Sequence, residues 1–284
     1  MRVTNVVMYS GETEVASFAL GLGETPDRYL IIAMSGIDVD SITPRFYSFG
    51  QRTGSPLFDF GLQPREMVFR IALNPKFLLD ETFSELRERL YKVIAANRNG
   101  KIRIQFNAGS IAIAQIEGFI VKLEGSHFTK SPEVQLTIRC DDPFFRGISP
   151  TIHTAATGFG LPNLISVPDS LSTAPHGFLL ELLFSDDVDA AGVTIQDSEV
   201  DPEWVFTVFP PGGMMEFDIL QLSTEANNKY VQMVRGGITT PIADSVGIGS
   251  VWPLIFPGAN SFYIVELGWT ASYTITSYPA YWGI

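Results

Sequence analysis

The side chains able to do chemistry are few, and their spacing does not converge. Three histidines, His127, His153 and His176, each fall in a turn-like stretch, with no second ligand at metal spacing. The single cysteine, Cys140, ends an alternating apolar run and reads as a small core residue, not a nucleophile. With one cysteine no intrachain disulfide forms, and a disulfide-stapled secreted scaffold is excluded. Asp141 and Asp142 are adjacent, so on a strand they point to opposite faces and cannot share a substrate; Asp before Pro143 is ordinary turn chemistry. Asp186-Asp187-Val188-Asp189 lacks the glycine and distal glutamate of a calcium loop and reads as a solvated acidic turn. Glu124 with His127, and Glu66 with Asp59, are acid–base pairs only by nearness in sequence. Gly21-Leu22-Gly23 lacks the third glycine of a dinucleotide loop, and neither a phosphate loop nor a Gly-x-Ser-x-Gly elbow occurs. These readings leave no cofactor, no metal and no catalytic residue, and the expectation is a chain that is not an enzyme.

The elements that would hold such residues point to assembly. Alternating runs predict strands at 3–9, 14–20, 29–34 and 67–73, the last with Met67, Phe69, Ile71 and Leu73 on one face. Thr82-Phe83-Ser84-Glu85 is a capping box, and Phe83, Leu86, Leu90, Val93 and Ile94 share one face of a helix over 82–97. Asn99-Gly100 then supplies a left-handed helix stop. Strands follow at 101–106, 111–123 and 133–140, a meander under one helix, with Gly118 marking a bulge. Residues 38–60 show no period and read as an extended loop or arm. The six cations between Arg87 and Arg103 read as the solvated side of the helix and a strand edge; a sharper reading has them meet an acidic neighbour.

Charge divides the chain. Residues 1–149 hold 17 Lys and Arg against 17 Asp and Glu, and residues 150–284 hold 2 (Lys229 and Arg235) against 14. A domain boundary near 150 is expected, with the acidic part unsuited to nucleic acid, whose phosphates need cations. After a loose stretch from 148 to 172, read as a linker and an edge strand, short strands are expected near 177–184, 192–197, 204–209, 215–221, 229–234, 262–267 and 271–277. Gly- and Pro-rich turns separate them, the pattern of a β-sandwich. The opening residues lack a signal-peptide pattern, and no apolar run reaches a membrane span. The fold class is therefore mainly β with one amphipathic helix. The expected product is soluble and made in a cytoplasm.

Several stretches resemble the distal tail proteins of siphophages. They are the strand leading to Asn74-Pro75, the helix carrying Arg87, Leu90 and Tyr91, the Ile116-Glu117-Gly118-Phe119 stretch, and the closure Cys140-Asp141-Asp142-Pro143-Phe144-Phe145. The turn Pro257-Gly258-Ala259-Asn260 and an aromatic tail with Tyr278, Tyr281 and Trp282 match the family's second half. The resemblance implies a β-sandwich-like belt domain over 1–149 that forms a hexameric ring. It implies a galectin-like or carbohydrate-module-like domain over 150–284, with its last strand and tail packing back on the first. The motif residues would be structural, inter-subunit or core. The ring would join the tail tube to the baseplate hub and receptor-binding proteins at the virion tail tip, in a long-tailed phage or a phage-like particle. Implied partners are further copies of the chain, the tail tube protein, the tape measure protein and a hub or tail-associated protein. The alternative is a carbohydrate-binding module adsorbing to a host surface glycan through Trp204, Tyr230, Trp252 or Trp269; as core residues, these aromatics would form no such platform.

Overall fold

The computed structural model describes residues 3–20, 28–38, 42–46, 57–75, 81–97, 99–125, 132–156, 163–188, 192–197, 205–225, 228–265 and 269–284. The chain divides into two compact units, Met1–Ile148 with Trp282–Ile284, and Ser149–Tyr281. The fold is mainly β, with one α-helix among the described residues.

The first unit contains β1 (Asn5–Ser10), β2 (Thr13–Leu20), β3 (Tyr29–Ser35), β4 (Ile42–Phe46), β5 (Leu57–Leu62), β6 (Arg65–Leu73), α1 (Phe83–Ala96), β7 (Ile102–Ala108), β8 (Ile111–Gly125), β9 (Glu133–Cys140) and β10 (Phe145–Gly147). Its sheet runs β10-β8-β7-β1-β2-β3-β6-β9, and β9 returns to pair with β8, so the sheet closes on itself. The expected sandwich-like belt is thus one sheet folded back on its own core. β8 makes the closure by pairing with β9 as well as with its neighbours β10 and β7. Its first part pairs with β7 as far as Ile102↔Gly118, and from Phe119↔Arg139 onward it pairs with β9. Gly118 sits where the partner changes. A Cβ there would lie 2.7 Å from the Arg139 carbonyl oxygen and 2.8 Å from the Cys140 sulfur, closer than packing allows. The bulge expected at Gly118 is not there: the register shifts lie at Phe106/Asn107, opposite Ala112 and Ala114, and at Ile120/Lys122. The β2–β3 link is parallel and short, Ala19↔Leu30 and Leu20↔Ile31.

Alternation fills the core. Met67, Phe69, Ile71 and Leu73 of β6 point inward with Ile102, Ile104 and Phe106 of β7, all buried. Helix α1 starts at its capping box: the Thr82 hydroxyl accepts the Glu85 N–H, and the Glu85 carboxylate accepts the Thr82 N–H at 2.8 Å. It packs on β2 and β6 and buries Leu86, Leu90 and Ile94, each worth about 1.5–3 kcal/mol relative to exposure. Phe83, expected on that face, is 37% exposed because it opens the first turn, beyond the reach of the sheet. The helix stop also differs from expectation. Asn97 caps the end, its amide donating to the Val93 carbonyl, and Gly100 is not left-handed. Within residues 38–60, read as a loop, β4 and β5 pair as an antiparallel ribbon. Backbone pairing of a hairpin needs no apolar period, so the sequence pattern gave no sign of it.

The second unit contains β11 (Thr151–Ala156), β12 (Asn163–Ser166), β13 (Phe178–Phe184), β14 (Val193–Asp197), β15 (Val205–Val208), β16 (Ile219–Ser223), β17 (Tyr230–Arg235), β18 (Ile238–Pro241), β19 (Ser261–Val265) and β20 (Ala271–Ser277). One sheet runs β11-β20-β13-β16-β17-β18 and the other β12-β19-β14-β15. Both give their inward residues to one core, including Phe178, Leu180, Leu182, Phe206, Phe262 and Trp269, which makes the unit a two-layer sandwich. β16 begins later than the pattern suggested. Met215–Asp218 is a turn in which the Met215 N–H donates to the Asp218 carboxylate and Phe217 adopts φ 69°. Arg235 grips the buried Asp218 at 2.7 Å and reaches the Gly213 carbonyl.

Candidate functional site

The motif at the end of β9 is organised by a residue that sequence reading passed over. Arg65 opens β6 directly opposite Cys140 and is 5% exposed. It shares the inward parity of Met67, Phe69, Ile71 and Leu73. Its guanidinium donates from Nε to the Pro143 carbonyl at 2.6 Å, and from Nη1 to the carbonyls of Gly36 at 2.8 Å and Asp38 at 2.7 Å. Nη2 donates to the Trp282 carbonyl at 2.5 Å. The guanidinium carbon lies 4.8 Å from the Phe145 ring centroid. A rigid planar fork of five N–H groups can meet carbonyls from several chain segments at once, and the ring face shares the charge. Arg65 thus joins the chain entering β4, the turn before β10, and Trp282.

The flanking residues are shaped to that joint. The Asp142 carboxylate accepts the Phe144 N–H at 3.1 Å and the Arg146 guanidinium at 3.0 Å, which fixes the turn at Pro143. Phe144 stacks edge-on against Trp282 with centroids 4.7 Å apart. Phe145 is fully buried, edge-on to Phe106 at 5.4 Å. Gly36, at φ 76°, passes so close to β6 that a Cβ would overlap the Glu66 carbonyl. Gly283 passes Ile37 closely, since a Cβ would sit 3.0 Å from that carbonyl oxygen. Burial pushes the Cys140 thiol up to about 12 against the opposing pull of Arg65, so it stays protonated and unreactive.

The other motif residues have their own local partners. The Asn74 N–H donates to the Arg28 carbonyl at 2.8 Å, and Pro75 beside it is buried. On α1, Leu90 is core, while Arg87 and Tyr91 lie half-buried along Gly125 and line a shallow groove of about 450 Å³ with Ser84, Glu88 and Lys92. Lys92 is paired with Glu88 at 2.8 Å. In the second unit Pro257 is exposed, Gly258 takes φ 107°, and Asn260 is buried. The Asn260 amide donates to the carbonyls of Phe256, Gly258 and Val167, and its oxygen accepts the Phe256 N–H at 2.8 Å, so one side chain closes the whole turn. Tyr278 and Tyr281 are half-buried, and burial raises the Tyr281 hydroxyl above the usual tyrosine range.

Among the described residues no three His, Cys, Asp or Glu side chains lie together as a metal site. Asp186 accepts the Thr270 hydroxyl and Asp187 accepts the Glu216 N–H, so both carboxylates serve turns. His127, Asp189 and Trp204, and the side chain of Asp59, lie outside the described residues. Of the aromatic residues considered for a glycan platform, Trp269 is fully buried against Phe184. Trp252 leans on Phe206 at 5.0 Å under the Lys229 ammonium, and Tyr230 is half-buried. No described helix is long and apolar enough to cross a membrane.

No protein-family model and no curated protein matches the sequence. Solved structures do. The crystal structure of the SPP1 Dit protein, described as a paradigm of the hub adsorption apparatus in phages infecting Gram-positive hosts, covers 96% of this chain and 98% of its own at TM-score 0.62 and 15% identity. Chains of the phage P2 baseplate in its activated conformation, with Ca and with Sr, cover 97% of this chain and 98% of theirs, at TM-scores of 0.45 and 0.43 and identities of 8% and 9%. Among the described residues the first unit is a closed, mainly antiparallel sheet with one α-helix and the second a β-sandwich; matched along nearly its whole length to SPP1 Dit, the chain has a Dit-like fold.

Proposed function

We propose that this chain is a structural component of a phage tail tip, a distal tail protein and not an enzyme. The observation that carries the reading is the likeness to SPP1 Dit over 96% of the chain, a protein described as part of a hub adsorption apparatus. In this reading the first unit is the belt. Six copies close into a ring through heterologous interfaces, each copy presenting one surface to the next. The ring joins the tail tube and tape measure protein on one side to the hub and receptor-binding proteins on the other, in a long-tailed phage or a related particle.

Charge and pairing support the reading. The first unit is neutral in formal charge and packs against copies of itself without net repulsion, whereas the second carries the whole net charge of −12 and favours separation from its copies. The ribbon β4–β5 pairs within itself among the described residues and offers two strand edges to a neighbour. Deleting residues 38–60 tests the arm's part in assembly. The shortened chain is expected to stay folded and lose the ring, as read by light scattering on a sizing column. A ring of undiminished stability after the deletion would remove the arm from the interface.

A further inference from the structure

We infer that Trp282–Ile284 is a latch, and that through Arg65 it orders both the entrance to the β4–β5 ribbon and the β10 closure. Three observations converge. First, this segment follows the second unit in sequence but belongs to the first. Second, the Trp282 carbonyl and the carbonyls of Gly36, Asp38 and Pro143 share one guanidinium, so removing one acceptor loosens the fork that holds the other three. Third, Trp282 and Gly283 cover the two segments the fork joins: the Trp282 ring meets Phe144, and Gly283 runs against Ile37 and Asp38. Gly283 is small where a Cβ would press on the Ile37 carbonyl.

The consequence is an order of events. The strands of the first unit can pair as they emerge, but its joint stays open until residues beyond the second unit exist. Gly36–Asp38 leads into the ribbon proposed as an assembly arm. On that reading, and resting on it, the latch keeps an incomplete chain from presenting an ordered arm to its neighbours.

The test is hydrogen exchange on the dilute, unassembled full-length chain, which needs no ring. A failed latch and a failed ring reading are therefore told apart. Exchange is followed at residues 34–38 and 142–147, with β1 and β7 as controls. Truncation after Tyr281 and Arg65→Lys are each expected to speed exchange at both segments at least tenfold and to leave the controls unchanged. The double variant should be no faster than either alone, because the two changes break the same joint. A peptide with the sequence of Ala280–Ile284, added to the truncated chain, should restore protection. Trp282→Ala in the full chain serves as the milder variant if truncation prevents folding. Unchanged protection at 34–38, multiplicative effects in the double variant, or equal acceleration in β1 and β7 would overturn the latch.

Discussion

At the scale of single residues, the interior polar side chains of Arg65, Asp218 and Asn260 hold turns and segment joints. The Asn260 side chain bonds the backbone of Phe256, Gly258 and Val167 at once. Asn260→Ala removes these bonds, among them the one to the buried Val167 carbonyl, and is expected to cost the second unit about 1–3 kcal/mol, read by urea unfolding of the full chain. Cys140 gives a pH prediction with a definite sign. The folded thiol is pushed up to about 12 from an ordinary 9.0, so above about pH 9 the unfolded chain releases this proton while the folded chain keeps it. Its contribution to stability falls as pH rises from about 9 toward 12. The native thiol should resist an alkylating reagent at pH 8 and react only on unfolding; fast native alkylation would contradict its burial. The motif residues Asn260 and Cys140 were readable as structural from sequence. Arg65 was not, because a cation ahead of an alternating run looks like a solvated strand end. The readable sign was its parity with Met67, two residues on.

At the scale of elements, legibility followed the strength of local signals. Helix α1 announces itself by a capping box and an apolar face, and both form. Strands β6 to β9 announce themselves by alternation, because each has one buried face. The edge strand β18, whose residues are all exposed, has no buried face to leave an apolar period, and the segment that forms the β4–β5 ribbon shows no period in its sequence either. Closure of the sheet was also hidden, since it depends on one long strand changing partners. Gly118 is the element that permits it, and Gly118→Ala tests this. The added methyl would press on the Arg139 carbonyl and the Cys140 sulfur, so the variant is expected to lose about 2 kcal/mol and to exchange faster along β8–β9 than along β7–β8. A variant as stable as the parent would mean that β8 turns by other means.

At the scale of the whole molecule, a chain with scattered chemistry has the fold of a protein from a phage adsorption apparatus. Its charge separates along the sequence, near zero before residue 150 and strongly acidic after it. This asymmetry was plain in the sequence, whereas the joint at Arg65 depends on contacts between residues up to 217 positions apart and has no local signature. The proposed ring asks one part of each chain to associate and another to stay separate, and the formal charge of each part suits its role. The most direct test is the solution mass of the purified chain by light scattering on a sizing column, with the peak imaged by negative stain. The account predicts a species of six times 31.3 kDa that appears as a ring. A single 31.3 kDa species at every concentration reached would contradict it.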